Sequence, residues 1–534
     1  MLIDLKKIDR SINLKSDICI VGAGAAGITM ALEFLDTGHN VLLMESGGFN
    51  FNAKTQSLYD GKIIGMPYGQ FTLESSRLRY YGGSTNHWGG WVAPLDKIDF
   101  EKRESIPMTG WPVTLDEMQP YYSRAQQYLA NHSFDFDNLD KWVNGIHMPL
   151  PFSKKQIISK LYEIMPTRFG PKYHESLTQA RNITVCLHAN LTNIELTGEK
   201  NSVKQLRFSS LNNTSATVGA RVYILACGGI ENARRLLLTG KDGNFAIGNR
   251  YGLVGEYFMD HPHVPAGKLY ISEPNYNRLS LYYPPNPTKY NYEYLAALRL
   301  PDELEKRKNL GNVHILIRSL YSYMYQTNSL EAIWALGDLI KNTHYGESTH
   351  VDMDLKKIIK DFDKLLFELN QKILQDPSVN LENYYTLYTR SEQQPNPLSK
   401  IILNRSFDSL GQNEVDLDWH LTSHDKKSIR EAMLILASEF GRTGIGRVQL
   451  FDWLLQDDNY WSDNMTGWCH HMGTTRMNNN PKEGVVDQNC QVHDVPNLYI
   501  SSSSVFPTSG ASNPTFTIIA LAIRLSDFLK NKLI

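Results

Sequence analysis

The 534-residue chain lacks a long apolar run. Its nearest candidate, residues 516–525, falls short of the roughly 18 apolar residues that a bilayer-spanning helix needs, and it carries Arg524. No membrane span is expected. Cysteine is scarce: Cys19, Cys186, Cys227, Cys469 and Cys490 are scattered, odd in number, and form neither a C-x-x-C pair nor a Cys/His cluster at zinc spacing. A disulfide framework and a metal site are therefore not expected. Excess charge of one sign is missing too, because 54 Lys and Arg face 56 Asp and Glu for a net charge of −2. No global field draws this chain to nucleic acid or to an anionic surface. Internal repeats and low-complexity tracts are absent, which excludes solenoid and scaffold architectures. The first ten residues alternate charged and single apolar side chains without a signal-peptide core, which predicts an unexported, cytoplasmic protein.

What is present is an ordinary globular composition, 42% apolar and 21% charged. The length exceeds the roughly 250 to 300 residues at which a single core stops growing, so two or more core-bearing units are expected.

The first strong pattern is a short apolar strand at 17–21, then Gly22-Ala-Gly24-Ala-Ala-Gly27, a helical run at 28–36, and a second strand at 41–44 ending in Glu45. In this setting Gly22 permits a tight turn, Gly24 lets main-chain amides approach a pyrophosphate, Gly27 permits close helix packing, and Glu45 accepts from ribose hydroxyls. The same motif serves NAD and FAD and does not choose between them. Further strand-and-glycine units recur at 221–229, with a helix at 230–238, and at 497–500, with a helix at 515–529 opened by Asn513-Pro514. Units so far apart predict one parallel sheet assembled from discontinuous segments.

Between them, Tyr290, Tyr292 and Tyr294 alternate, as do Val313, Ile315 and Ile317, while Leu355, Ile358, Ile359, Phe362, Leu366 and Leu369 follow helical spacing. These predict a sheet with helices packed on it. The six tyrosines from Tyr276 to Tyr294 are read as half-buried strand positions in preference to a polar cleft.

Seven stretches together resemble the glucose-methanol-choline (GMC) oxidoreductases. They are Ile18 through Gly27, Gly82-Gly-Ser-Thr-Asn-His87-Trp-Gly-Gly90, Trp111-Pro-Val with Tyr121-Tyr122, Leu225-Ala-Cys-Gly-Gly229, Asp260-His-Pro262, His470-His-Met-Gly-Thr-Thr-Arg-Met477 and Ala511-Ser-Asn-Pro-Thr515. The resemblance is greatest to the pyranose oxidase, fructose dehydrogenase and gluconate dehydrogenase branch. It implies an α/β fold, with a Rossmann-like FAD-binding domain from 14–48, 180–262 and 465–534. A substrate-binding domain, a sheet with helices, would take 49–179 and 263–464, including a flavin-contacting loop at 80–92.

The resemblance implies FAD as cofactor and a small-molecule alcohol, on a sugar or sugar-like ring, as substrate. An FAD-containing lyase of the same fold with no net redox chemistry is the alternative. An NAD-only dehydrogenase and a non-catalytic flavoprotein are the other readings. The electron acceptor, whether oxygen, a quinone or a redox protein, is left open.

Alcohol oxidation needs a base for the hydroxyl proton, and imidazole suits that task near neutral pH. The family's catalytic histidine falls on His470, three residues before Gly473-Thr474, and His471 is then a packed neighbour. The second catalytic position falls on Asn513, which is also a favourable N-cap ahead of Pro514 at the first helical position. Pro514 and Thr515, at a helix end with partial positive charge, would face the flavin. His87 matches the histidine that bonds covalently to flavin in pyranose oxidases, and the sequence leaves both a tether and a plain contact open. Where many relatives carry aspartate after the last strand, this chain has Ser502.

Overall fold

The computed structural model describes residues 1–534 except 70, 131–134, 137–138, 140–147, 200, 241–245, 273–276, 284–293, 320–383, 459 and 534. The expected strand residues Tyr290 and Tyr292, the tyrosine Tyr276, and the expected helix at 355–369 lie outside the described residues.

Val21, Leu225 and Ile500 belong to one sheet. Its parallel part runs Leu2–Asp4, Ile183–Leu187, Val41–Met44, Ile12–Val21, Ser215–Leu225. The last of these strands is shared. Residues Ser215 to Val218 pair antiparallel with Val203–Ser209, while Tyr223 to Leu225 pair parallel with Leu498–Ile500. Ile18, Cys19 and Ile20 are wholly buried, which is why this strand reads as a continuous apolar run. The sheet begins earlier than the sequence predicts, with Leu2–Asp4 on its edge.

A second sheet, antiparallel, runs Gly446–Leu450, His263–Ile271, Tyr384–Ser391, Val313–Ser319, Tyr294–Arg299, Ile158–Ile164, Trp91–Val92. Val313, Ile315 and Ile317 face a core shared with Ile429, Met433 and Leu436 of the helix Ser423–Thr443. Leu316 and Arg318, on the alternate positions, face a cavity between the two sheets. Tyr282 packs, with its hydroxyl 3.2 Å from the Leu150 amide and 2.6 Å from Ser159 Oγ.

Candidate active site

The cavity measures about 720 Å³ and is bordered at one end by main chain. The strand Ile12–Val21 delivers the chain into Gly22 at φ +105°, and a Cβ there would lie 2.6 Å from the Ala226 carbonyl oxygen. A Cβ on Gly27 would lie 1.9 Å from the Gly22 carbonyl oxygen, so the helix Ala25–Glu33 closes on the turn only without a side chain. Gly24 has open space where its Cβ would stand, and it caps that helix without any side-chain bond. The first amides of the helix are thus available to an anion. Glu45 borders the same end, fixed by the Ala23 amide at 2.9 Å and the Gly47 amide at 2.8 Å.

Arg77, Arg79 and Arg235 also line this end. Glu231 holds Arg235 at 2.6 Å, Arg234 at 3.3 Å and Arg79 at 3.5 Å, and this positive company keeps its carboxyl well below the usual range although burial opposes it. Arg77 Nε and Nη1, Arg79 Nε and Arg235 Nε are buried without a hydrogen-bond partner among the described residues. Unpaired guanidinium atoms beside an open helix end fit a dinucleotide carrying a diphosphate, as FAD does. The sequence does not mark these arginines, because Arg77 and Arg79 ahead of one glycine pair and Arg235 behind another carry no spacing signal.

His87 is exposed and lines the cavity together with Trp88 and Gly90. Ser502, Pro514 and Thr515 border it as well. Ser502 Oγ lies 2.8 Å from Asn232 Nδ2 and 2.6 Å from Ser504 Oγ, so a neutral hydroxyl hub stands where a carboxylate was the family expectation.

The opposite end is walled by side chains. Asp260 Oδ1 accepts from the amides of His261 at 2.6 Å, His470 at 3.0 Å and Trp468 at 3.2 Å, while Oδ2 accepts from the Tyr68 hydroxyl. These bonds fix the loop that carries His470, including Cys469 at the uncommon φ of +59°. Burial lifts the Asp260 carboxyl to about 7.

His470 Nε2 lies 3.2 Å from Asn513 Nδ2, and its Nδ1 lies 2.8 Å from His261 Nδ1. The proton positions follow from the ends of the chain. Arg390 has no acceptor, so the Asn513 atom 2.6 Å from its Nη1 is Oδ1, and Nδ2 turns to His470. His470 Nε2 must accept, its Nδ1–H donates to His261, and the remaining His261 Nε2–H points at the Ser509 carbonyl oxygen 3.3 Å away. Burial first, then His261, Arg390, His471 and His263, hold His470 well below the ordinary imidazole value. It is therefore neutral, with its lone pair at the cavity wall.

Asn513 does not cap its helix. The Pro514 carbonyl accepts from the Ile518 amide at 2.9 Å, the helix is Thr515–Leu533, and the Asn513 carbonyl oxygen is taken by Arg390. The expected N-cap role gives way because a buried guanidinium is the stronger donor. Pro514 accordingly sits one position before the first helical residue. His471 is buried against Tyr68 and Phe258.

Residues 17–283 match the family model "FAD dependent oxidoreductase", and residues 395–522 match "GMC oxidoreductase". The chain is 21% identical to 2-methyl-1,2-propanediol dehydrogenase of Mycolicibacterium austroafricanum, over 97% of this chain and 96% of that protein. It is 20% identical to the fructose dehydrogenase large subunit of Gluconobacter japonicus, over 97% and 98%. Among solved structures, pyridoxine 4-oxidase from Mesorbium loti superposes with a TM-score of 0.58 at 16% identity, over 96% of this chain and 99% of that one. A formate oxidase superposes with a TM-score of 0.56 at 16% identity, over 98% and 99%. The glycine cradle, the unpaired arginines and these matches converge: the chain belongs to the GMC oxidoreductases and is an FAD-dependent oxidoreductase.

Proposed function

We propose that this protein oxidises a hydroxyl of a small polar molecule, of the sugar or sugar-like class, to a carbonyl, with His470 as base and Asn513 as its partner. The observation that carries the reading is the neutral His470 Nε2 beside Asn513 Nδ2 on the cavity wall. Gly22, Gly24, Gly27, Glu45, His87, Ser502, Pro514 and Thr515 would hold FAD, which would supply the hydride acceptor when bound. Asn513 Nδ2 donates to the alcohol oxygen and orients it. His470 Nε2 takes the hydroxyl proton as the hydride departs, so one proton and one hydride leave together and a carbonyl forms. The imidazolium that results keeps its Nδ1–H donated to His261, which disperses the new charge.

The lyase alternative finds no support in these relatives, which are named as dehydrogenases. The fructose dehydrogenase supports the sugar class. The same proposal assigns 14–48, 180–262 and 465–534 to cofactor binding and the remainder to substrate binding. A cytoplasmic location is also part of it, supported by five free cysteines. Among the described residues no helix is long and apolar enough to cross a membrane.

Anaerobic flavin reduction tests the proposal. His470→Ala should slow it by roughly 100-fold or more, the scale of a general base, with flavin still bound. Unchanged kinetics, or a larger loss in His471→Ala, would assign the base elsewhere. Acid precipitation reads out His87: we expect yellow colour in the supernatant, and colour kept by the pellet would mean a covalent link.

A further inference from the structure

Two guanidiniums converge on the substrate end of the cavity. Arg318, from the strand Val313–Ser319, lies with its Cζ 4.9 Å over the Trp91 ring, and Arg390, from the neighbouring strand Tyr384–Ser391, lies 5.9 Å from the same ring. Both line the cavity with Trp91, His470 and Asn513. Arg390 is buried and spends its Nε on the Ala511 carbonyl at 2.9 Å and its Nη1 on Asn513. Its Nη2 is buried with no hydrogen-bond partner among the described residues.

No acidic side chain among the described residues pairs with either arginine. Among the described residues the other strongly buried arginines outside the cofactor end have an acidic partner, except Arg476, which lies away from the cavity and donates to the Met108 and Pro507 carbonyls. Arg103 has Glu392, Arg299 has Asp96 and Glu305, and Arg234 has Asp408. A buried cation is costly unless an anion or a set of acceptors meets it, and two adjacent cations repel. The acceptor missing among the described residues is expected from the ligand.

We infer, on the basis of the alcohol-oxidation reading above, that the substrate carries an anionic group, a carboxylate or a phosphate, seated between Arg318 and the free Nη2 of Arg390. Arg390 also holds Asn513, which touches His470, so the anion sits close along the substrate to the carbon that is oxidised. This narrows the substrate class to hydroxylated acids and sugar phosphates. A guanidinium fork matches both groups, and Trp91 supplies a flat wall against which Arg318 is held in place.

Binding to the purified holoenzyme tests this without turnover. The flavin absorption spectrum is titrated with glutarate, with inorganic phosphate and with glutaramide, none of which carries a hydroxyl that can be oxidised. One of the two anions should bind about 10- to 100-fold more tightly than the neutral diamide, the range set by a lost charge-assisted bond. Tighter glutarate identifies a carboxylate substrate, and tighter phosphate a phosphorylated one. Arg318→Gln should abolish that preference at an unchanged flavin-to-protein ratio, and Arg318→Lys should keep part of it. Anions binding no tighter than glutaramide, or a preference surviving in Arg318→Gln, would overturn the inference. Should no alcohol reduce the flavin, the oxidation reading fails, while these titrations still decide the anion site by themselves.

Discussion

Around Gly22, Gly24 and Gly27 the cavity wall is main chain, flanked by Glu45, Arg77, Arg79 and Arg235, whereas at the end bounded by His470, Asn513 and Arg390 it is side chain. The first is shaped by close approach: the Gly22 carbonyl leaves 1.9 Å where a Cβ of Gly27 would stand. The glycine turn recognises what all dinucleotides share, and it has no side chain to adjust. The second is shaped by polarity. A donor-only guanidinium at one end and an acceptor-only carbonyl at the other orient Asn513, His470 and His261 between them. Such a relay fixes a tautomer, and it responds to substitution by degrees. The cofactor end should therefore fail outright when disturbed and the catalytic end should fail in proportion.

The largest expected effect is at the main-chain end. Gly27→Ala forces the helix Ala25–Glu33 off the turn, at a cost of at least about 3 kcal/mol, and the purified protein should contain less than roughly a tenth of the normal flavin. Normal flavin content in that variant would break the contrast.

Next is His261→Leu, which leaves the His470 Nδ1–H buried without an acceptor. That penalty of about 1–3 kcal/mol should slow anaerobic flavin reduction by roughly 10-fold or more with flavin retained, and His261→Gln, which restores an acceptor, should recover part of the rate. Equal rates in the Leu and Gln variants would mean that His261 only fills space.

The smallest effect is expected for Asp260→Asn. The amide keeps an oxygen for the His261, Trp468 and His470 amides, and the Tyr68 hydroxyl can turn to accept from the new NH2. With the carboxyl pushed up to about 7, the neutral form is already substantially populated near pH 7. The rate should change by less than about 3-fold, whereas Asp260→Ala, which frees three buried amides, should lose far more.

The same contrast explains what was legible beforehand. Gly22, Gly24, Gly27 and Glu45 lie in one strand–turn–helix–strand unit, so local spacing is enough to name them. The relay is assembled from far-separated segments: His261 and His470 are 209 residues apart, and Arg390 and Asn513 are 123 apart. His470 and Asn513 were reachable only through family resemblance, and Asp260-His-Pro262 was visible as a motif without a role. Arg318 was hidden by the very pattern that located its strand. The alternation of Val313, Ile315 and Ile317 marks the face turned to the helix Ser423–Thr443, and the cavity is on the other face. Asn513 was misread as a helix cap because local propensity says nothing of a guanidinium arriving from another strand.

The relay keeps His470 neutral, with its Nε2 an acceptor on the cavity wall, and the pH dependence of anaerobic flavin reduction in the wild-type holoenzyme tests this. Protonation of His470 abolishes the base, so the rate must fall as pH drops through its pKa. Burial and the neighbouring His261, Arg390, His471 and His263 place that value below the ordinary imidazole range. The rate should stay flat down through pH about 6.5, the ordinary value, with an acid limb only below it that is lost in His470→Gln. An acid limb at or above that pH, or one that persists unmoved in His470→Gln, would contradict it.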